Sequence, residues 1–166
     1  MPERALPERF SVVPAAYVFL LRESVDEAQV LLQLRRNTGY MDDHWAAAAA
    51  GHVERGETVT AAAHREALEE LGITDLELTF VTTMQRTQRE GAGAGLPINE
   101  RVDFFFTARS WAGEPTITEP HKSAGLRWFG LHDLPAETVP HERIVLEGLR
   151  SGDLPPFLSV GFDRGI

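Results

Sequence analysis

The chain has 166 residues, 43% apolar and 25% charged, enough for one domain that buries roughly two thirds of the surface its unfolded form exposes. It contains no cysteine, which excludes a disulfide scaffold, a thiolate metal site and a thiol nucleophile, and fits a reducing, cytoplasmic compartment. The formal charge of −9 argues against broad binding to nucleic acid or to an anionic membrane surface.

Taken in chain order, the first apolar stretch is Val12 to Leu21. It is interrupted by Pro14, runs into Arg22 and Glu23 without a small-residue cleavage site, and falls far short of the roughly 20 apolar residues that cross a bilayer. We read it as a buried strand, Ser11 to Arg22, joined by the acidic turn Glu23 to Glu27 to a second strand, Gln29 to Arg35. A turn-rich segment, Asn37 to Asp43, follows, and then Trp45 and five alanines, Ala46 to Ala50. Alanine favours helix, but this run is short and ends at Gly51, so it is expected to be a tight or extended strand against which other backbone packs closely.

From Thr58 to Leu71, apolar residues at 62, 63, 67, 68 and 71 have helical spacing, and Gly72 stands where a left-handed cap would end the helix. Strands are expected at Leu76 to Gln88 and Arg101 to Arg109, linked by the glycine-rich segment Glu90 to Pro97, which reads as a flexible lid. A short strand, Leu126 to Phe129, and a helix near Thr138 to Arg150 come next. After Ser151 the pair Pro155-Pro156 points to an irregular tail, about 151–166. Without internal repeats or a linker, residues 1–166 are expected to form a single domain.

The chemistry concentrates in Gly51 to Ile73, GHVERGETVTAAAHREALEELGI. Glu66, Glu69 and Glu70 lie at i, i+3 and i+4 and project from one side of the helix. Such carboxylates repel one another; they are either an ordinary solvated face partnered by Arg65 or the oxygen ligands of a hard divalent cation such as Mg²⁺ or Mn²⁺. Glu54, Glu57, Glu66, Glu69 and Glu70 against Arg55 and Arg65 leave this segment with a charge near −3.

The segment resembles the signature of the Nudix hydrolases, G-x5-E-x7-R-E-U-x-E-E-x-G-U, with U apolar. Gly51, Glu57, Arg65, Glu66, Glu69, Glu70 and Gly72 match its fixed positions, and Ala67 and Ile73 its apolar ones. The resemblance implies an α+β fold, an α/β/α sandwich with a mixed β-sheet and a loop-helix-loop metal site, and cleavage of a diphosphate linkage in a nucleoside diphosphate derivative. It makes Glu66, Glu69 and Glu70 the metal ligands, with the carbonyl of Ala50 or Gly51, and has Arg65 and Glu57 orient them. Mg²⁺, for which Mn²⁺ can substitute, would neutralise the diphosphate and acidify the attacking water. The proton would pass to Glu66 or Glu69, or to a glutamate on a later loop, for which Glu119 is the candidate.

Outside the box, the proline or tyrosine that marks the ADP-ribose and dinucleoside polyphosphate classes is absent, as is the upstream motif of the coenzyme A class. Leu34 to Asp42, with Arg35, Arg36 and the N-T-G-Y-x-D turn, resembles the nucleoside triphosphate branch, as do Glu119 to Lys122 and Leu126 to Phe129. The chain departs from that branch at Ala47 to Ala49, where Leu-Pro is usual, and near Ser123 to Gly125, where an acid is expected. Arg36 and Arg86, with Arg35 and Lys122, are candidates to hold phosphates; Tyr40, with Trp45 and Phe104 to Phe106, is a candidate to stack on a base, Phe105 reading more readily as core. His52 and His64 occupy variable box positions. The expected activity is Mg-dependent hydrolysis of a nucleoside triphosphate or modified nucleotide to monophosphate and pyrophosphate. ADP-ribose or sugar-nucleotide hydrolysis and a non-catalytic nucleotide sensor are the alternatives, and a homodimer is compatible with the resemblance. Isoprenoid-diphosphate isomerases of this fold rely on a cysteine that is missing here, and an mRNA-decapping role would want a basic surface.

Overall fold

The computed structural model describes residues 9–162. Its strands are β1 (Val13–Glu23), β2 (Ala28–Arg35), β3 (Trp45–Ala47), β4 (Ala49–His52), β5 (Leu78–Arg86), β6 (Arg101–Ala108), β7 (Ser123–Gly130) and β8 (Phe157–Val160), and its α-helices are α1 (Val59–Leu71) and α2 (Pro140–Ser151). The strands form one mixed sheet, ordered β3-β2-β1-β6-β5-β8, with β4 also on β1 and β7 on β2. Parallel pairing of β1 with β6 and of β5 with β8 stands beside antiparallel pairing elsewhere.

β1 is apolar almost throughout because both of its faces are covered. Ala16, Val18 and Leu20 point into a core with Ala62, Ala63, Ala67 and Leu71 of α1. Their neighbours Ala15, Tyr17, Phe19 and Leu21 point the other way, to Val145 and Leu146 of α2. The two-residue period of a strand thus assigns one helix to each face, which makes the expected α/β/α sandwich.

The alanine run is extended, and it changes partner. Ala47 pairs with Leu32 of β2, and after a bend at Ala48 Ala49 pairs with Val18 of β1. Ala46 to Ala49 are almost wholly buried, since the crossing leaves room for a methyl group and little more. The Gln33 amide spans the bend, donating to the Ala47 and Ala48 carbonyls at 3.2 and 3.3 Å.

α1 begins where the threonine places it: Thr58 is the N-cap and accepts from the Ala61 amide at 3.1 Å. It ends at Gly72, whose φ of +68° is the left-handed conformation that glycine adopts without penalty. Leu68, counted with the apolar stripe by spacing, is exposed, one step off the line of Ala63, Ala67 and Leu71.

The expected irregular tail is corrected by β8. Pro155 and Pro156 stand just before it, at a sheet edge where no proline N–H is needed, and their carbonyls accept from the Thr82 hydroxyl at 2.8 Å and the Thr83 amide at 3.0 Å. Those bonds seat β8 on β5. Among the described residues no helix is long and apolar enough to cross a membrane.

Candidate active site

Arg65, on the second turn of α1, is the hub of the acidic segment. Its Nε and Nη2 donate to the two oxygens of Glu57 at 2.9 and 3.1 Å, its Nη1 to Glu66 at 2.6 Å and Glu69 at 3.1 Å, and its Nη2 also to the His52 carbonyl at 3.0 Å. The bonds to Glu57 contribute most to raising the Arg65 pKa further above its ordinary value, and the same contacts hold Glu57 low. One guanidinium therefore links the loop before α1 to two carboxylates on it.

Glu70 turns the other way, to β4, and accepts from the Ala50 amide at 2.8 Å. Burial pushes its carboxyl up to about 8, against that amide, which favours the anion. Burial also raises Glu66, with Arg65 opposing. Among the described residues no three acid or imidazole side chains close on a common point, because Glu66 and Glu69 are drawn to Arg65 and Glu70 to Ala50. The donor set nonetheless suits a hard cation: carboxylate oxygens on successive turns of one helix, in excess over the positive charge beside them.

The loop carrying Glu119 is fastened to the end of α1. The Thr116 amide donates to the Leu71 carbonyl at 3.1 Å and the Thr118 amide to the Glu70 carbonyl at 3.2 Å, while the Thr118 hydroxyl donates to the Glu69 carbonyl. These contacts satisfy carbonyls that a helix C-terminus leaves open. They also bring Glu119 close enough to raise the pKa of both Glu66 and Glu70. Lys122 donates to Glu119 at 2.9 Å.

A cleft of about 850 Å³ opens on the α2 side of the sheet and meets the acidic segment at Ala50, Gly51 and His52. Tyr40 and Arg86, two of the residues singled out in the sequence, line it, and the glycine-rich loop forms one wall through Ala92 and Gly93. That loop is braced, Gln88 Nε2 donating to the Ala92 carbonyl at 2.8 Å and Asn99 Nδ2 to the Gly93 carbonyl at 2.7 Å. Arg36 is exposed and does not line the cleft; its neighbour Arg35 does, stacked on the Tyr40 ring. Trp45 packs on Phe129 and Phe105 on Tyr17 and Phe19, so both serve the core.

Three residues that line the cleft, and the buried Asp103 beneath it, escaped the sequence reading. Glu142, buried at the start of α2, accepts from the Ala47 amide at 2.5 Å, and its carboxyl is pushed up to about 7 by burial. Beside it His141, buried and held neutral by burial, has an Nε2 without a partner among the described residues. On the sheet itself lie Arg101 and Asp103. Only the one-residue gap in Arg101-x-Asp103, which puts both on one face, hinted at their grouping.

A mixed sheet with a helix on each face, and an arginine-bound set of carboxylates on the first helix, define the class as a Nudix-type fold. The chain belongs to the Nudix family: the model described as NUDIX domain matches residues 12–149. A MutT Nudix hydrolase from Burkholderia pseudomallei is 28% identical and superposes with a TM-score of 0.69 over 82% of this chain and 97% of that one. The Nudix domain of Shewanella oneidensis NrtR, solved with ADP ribose, has the same fold at 17% identity, with a TM-score of 0.65 over 86% and 88% of the two chains. Among curated proteins, an isopentenyl-diphosphate Delta-isomerase from Cereibacter sphaeroides is 35% identical over 106 residues, 64% of this chain and 58% of the isomerase, so the match spans little more than half of that relative.

Proposed function

We propose that this protein is a divalent-metal-dependent pyrophosphohydrolase that cleaves a nucleoside triphosphate, or a modified one, into monophosphate and pyrophosphate. The observation that carries the reading is that Arg65 gathers Glu57, Glu66 and Glu69 while Glu70 accepts from the Ala50 amide of β4, the strand whose Ala50, Gly51 and His52 also line the large cleft. Glu66, Glu69 and Glu70, with the Gly51 carbonyl, are the residues that would hold Mg²⁺ or Mn²⁺. When bound, such an ion neutralises phosphate oxygens and lowers the pKa of water.

Arg65 and Glu57 orient the carboxylates, and the cleft aligns the nucleotide through Tyr40, Arg35 and Arg86. Water attacks phosphorus, the bridging P–O bond breaks toward the pyrophosphate leaving group, and the water's proton passes to a glutamate. Glu119 on its fastened loop and Glu66 or Glu69 on α1 are the bases within this group. We read residues 1–166 as one cytoplasmic domain.

A second reading rests on the curated relatives, which are named as isomerases of isopentenyl diphosphate. Isomerases of this fold use a cysteine and this chain has none, so hydrolysis is preferred. The test is a panel of nucleoside triphosphates, damaged nucleotides, nucleotide sugars, ADP-ribose and isopentenyl diphosphate with Mg²⁺, products resolved by chromatography. Pyrophosphate released from a triphosphate supports the proposal. Turnover confined to ADP-ribose, a sugar nucleotide or isopentenyl diphosphate overturns it.

A further inference from the structure

The floor of the cleft carries a cationic group to which the hydrolase reading gives only part of a task. Antiparallel register sets Arg86 of β5 opposite Arg101 of β6, and alternation along β6 puts Asp103 on the same face as Arg101. Asp103 is fully buried between them. It accepts from Arg86 Nε at 2.5 Å and from Arg101 Nε at 3.2 Å. Arg101 Nη1 lies 2.7 Å from His52 Nε2.

One carboxylate between two guanidiniums leaves a positive charge over. Arg86 spends only its Nε on Asp103; its terminal nitrogens have no hydrogen-bond partner among the described residues, and the side chain, 13% exposed, borders the cleft. A guanidinium held by a buried anion at one edge keeps its other edge aimed, so little rotamer freedom is lost when an anion docks there.

We propose that Arg86 and Arg101, positioned by Asp103 and His52, form an anion subsite that takes a phosphate group of the substrate other than the one attacked beside α1. This deepens the nucleotide reading and rests on it. It also supplies the reason for two phosphate-binding regions in one cleft: Gly51 marks the side that meets the carboxylates, and Arg86 marks the end of the sheet beyond it. His52 ties them together, since its ring meets Arg101 while its carbonyl accepts from Arg65 at 3.0 Å. A substrate bridging both regions is a polyphosphate chain, so a monophosphate would lose one of the two anchors.

The test is calorimetric titration of the full chain with inorganic triphosphate in EDTA. With divalent ions removed, the glutamates of α1 repel a polyanion, and binding reports on the arginines. Arg86→Gln is expected to weaken binding by about tenfold or more, the loss of a forked charged contact. Arg109→Gln, which removes a cation paired with Glu23 and absent from the cleft lining, is expected to leave it within about twofold. If Arg86→Gln does not fold, the double variant Arg86→Gln/Asp103→Asn removes the stranded buried anion as well and must show the same loss. Wild-type affinity in a folded Arg86 variant, or an equal loss in Arg109→Gln, overturns the subsite. Because no turnover is involved, a negative result leaves hydrolysis at α1 untouched, and a failed substrate panel leaves the binding result standing.

Discussion

Gly51 and Glu66 are packed so closely that a Cβ on Gly51 would lie 2.0 Å from Glu66 Oε1. The backbone of Gly51 is not in the left-handed region, so glycine is required there for space and not for conformation. The obstacle is the end of a flexible side chain, which can swing away. Gly51→Ala is therefore expected to fold with an unchanged circular dichroism spectrum, to displace Glu66, and to lower kcat by about 10²-fold, the scale on which misplaced catalytic groups act. An alanine variant with wild-type turnover would separate Glu66 from the chemistry.

Arg65 makes five hydrogen bonds, as many as a guanidinium has N–H groups. Lysine has three donors on one atom and cannot reach Glu57, Glu66, Glu69 and His52 together. Arg65→Lys keeps the charge and is expected to reduce kcat by roughly 10- to 100-fold and to raise the Mg²⁺ concentration needed for half-maximal rate. Steady-state kinetics at several Mg²⁺ levels read both effects. If only thermal stability falls, Arg65 is a structural tie and nothing more.

Such relationships were legible in the sequence to the degree that they are local. Thr58, the stripe Ala63, Ala67 and Leu71, and Gly72 delimit α1 by short-range rules, and the i, i+3, i+4 spacing of Glu66, Glu69 and Glu70 follows from helix geometry alone. Asp103 was not legible, because its role depends on β5 lying antiparallel to β6 in a register that sets Arg86 against Arg101. His141 and Glu142 were hidden for a similar reason: their burial comes from α2 closing on the face of β1 that carries Tyr17. β8 was missed because Pro155-Pro156 signals a break, while the pairing that overrides it comes from Thr82 and Thr83, more than 70 residues earlier.

Glu142 offers a pH signature. Burial raises its folded carboxyl from an ordinary 4.5 to about 7, so between these values the folded state holds a proton that the unfolded state has released. Stability from this residue is complete below about 4.5 and is lost as pH rises through 7. Glu142→Gln keeps an oxygen for the Ala47 amide and cannot ionise. Its melting temperature is expected to match the wild type at pH 4 and to exceed it by a few degrees at pH 8, measured by scanning calorimetry. A difference that does not change with pH would place the ionisation elsewhere.

Thr118 separates the position of Glu119 from its charge. Its amide and hydroxyl cap the Glu70 and Glu69 carbonyls, and the next residue carries the carboxylate that faces α1. Thr118→Val preserves shape and amide but deletes the hydroxyl, leaving the Glu69 carbonyl without that donor and loosening the loop. A lost side-chain hydrogen bond of this kind costs about 1 kcal/mol of stability. If Glu119 takes the proton from water, kcat must fall with the loosened loop while KM changes little, and Glu119→Gln must fall further, by about 10²- to 10⁴-fold. Should Glu119→Gln retain most of its rate, the base is Glu66 or Glu69 on the helix, and Thr118→Val will affect stability alone.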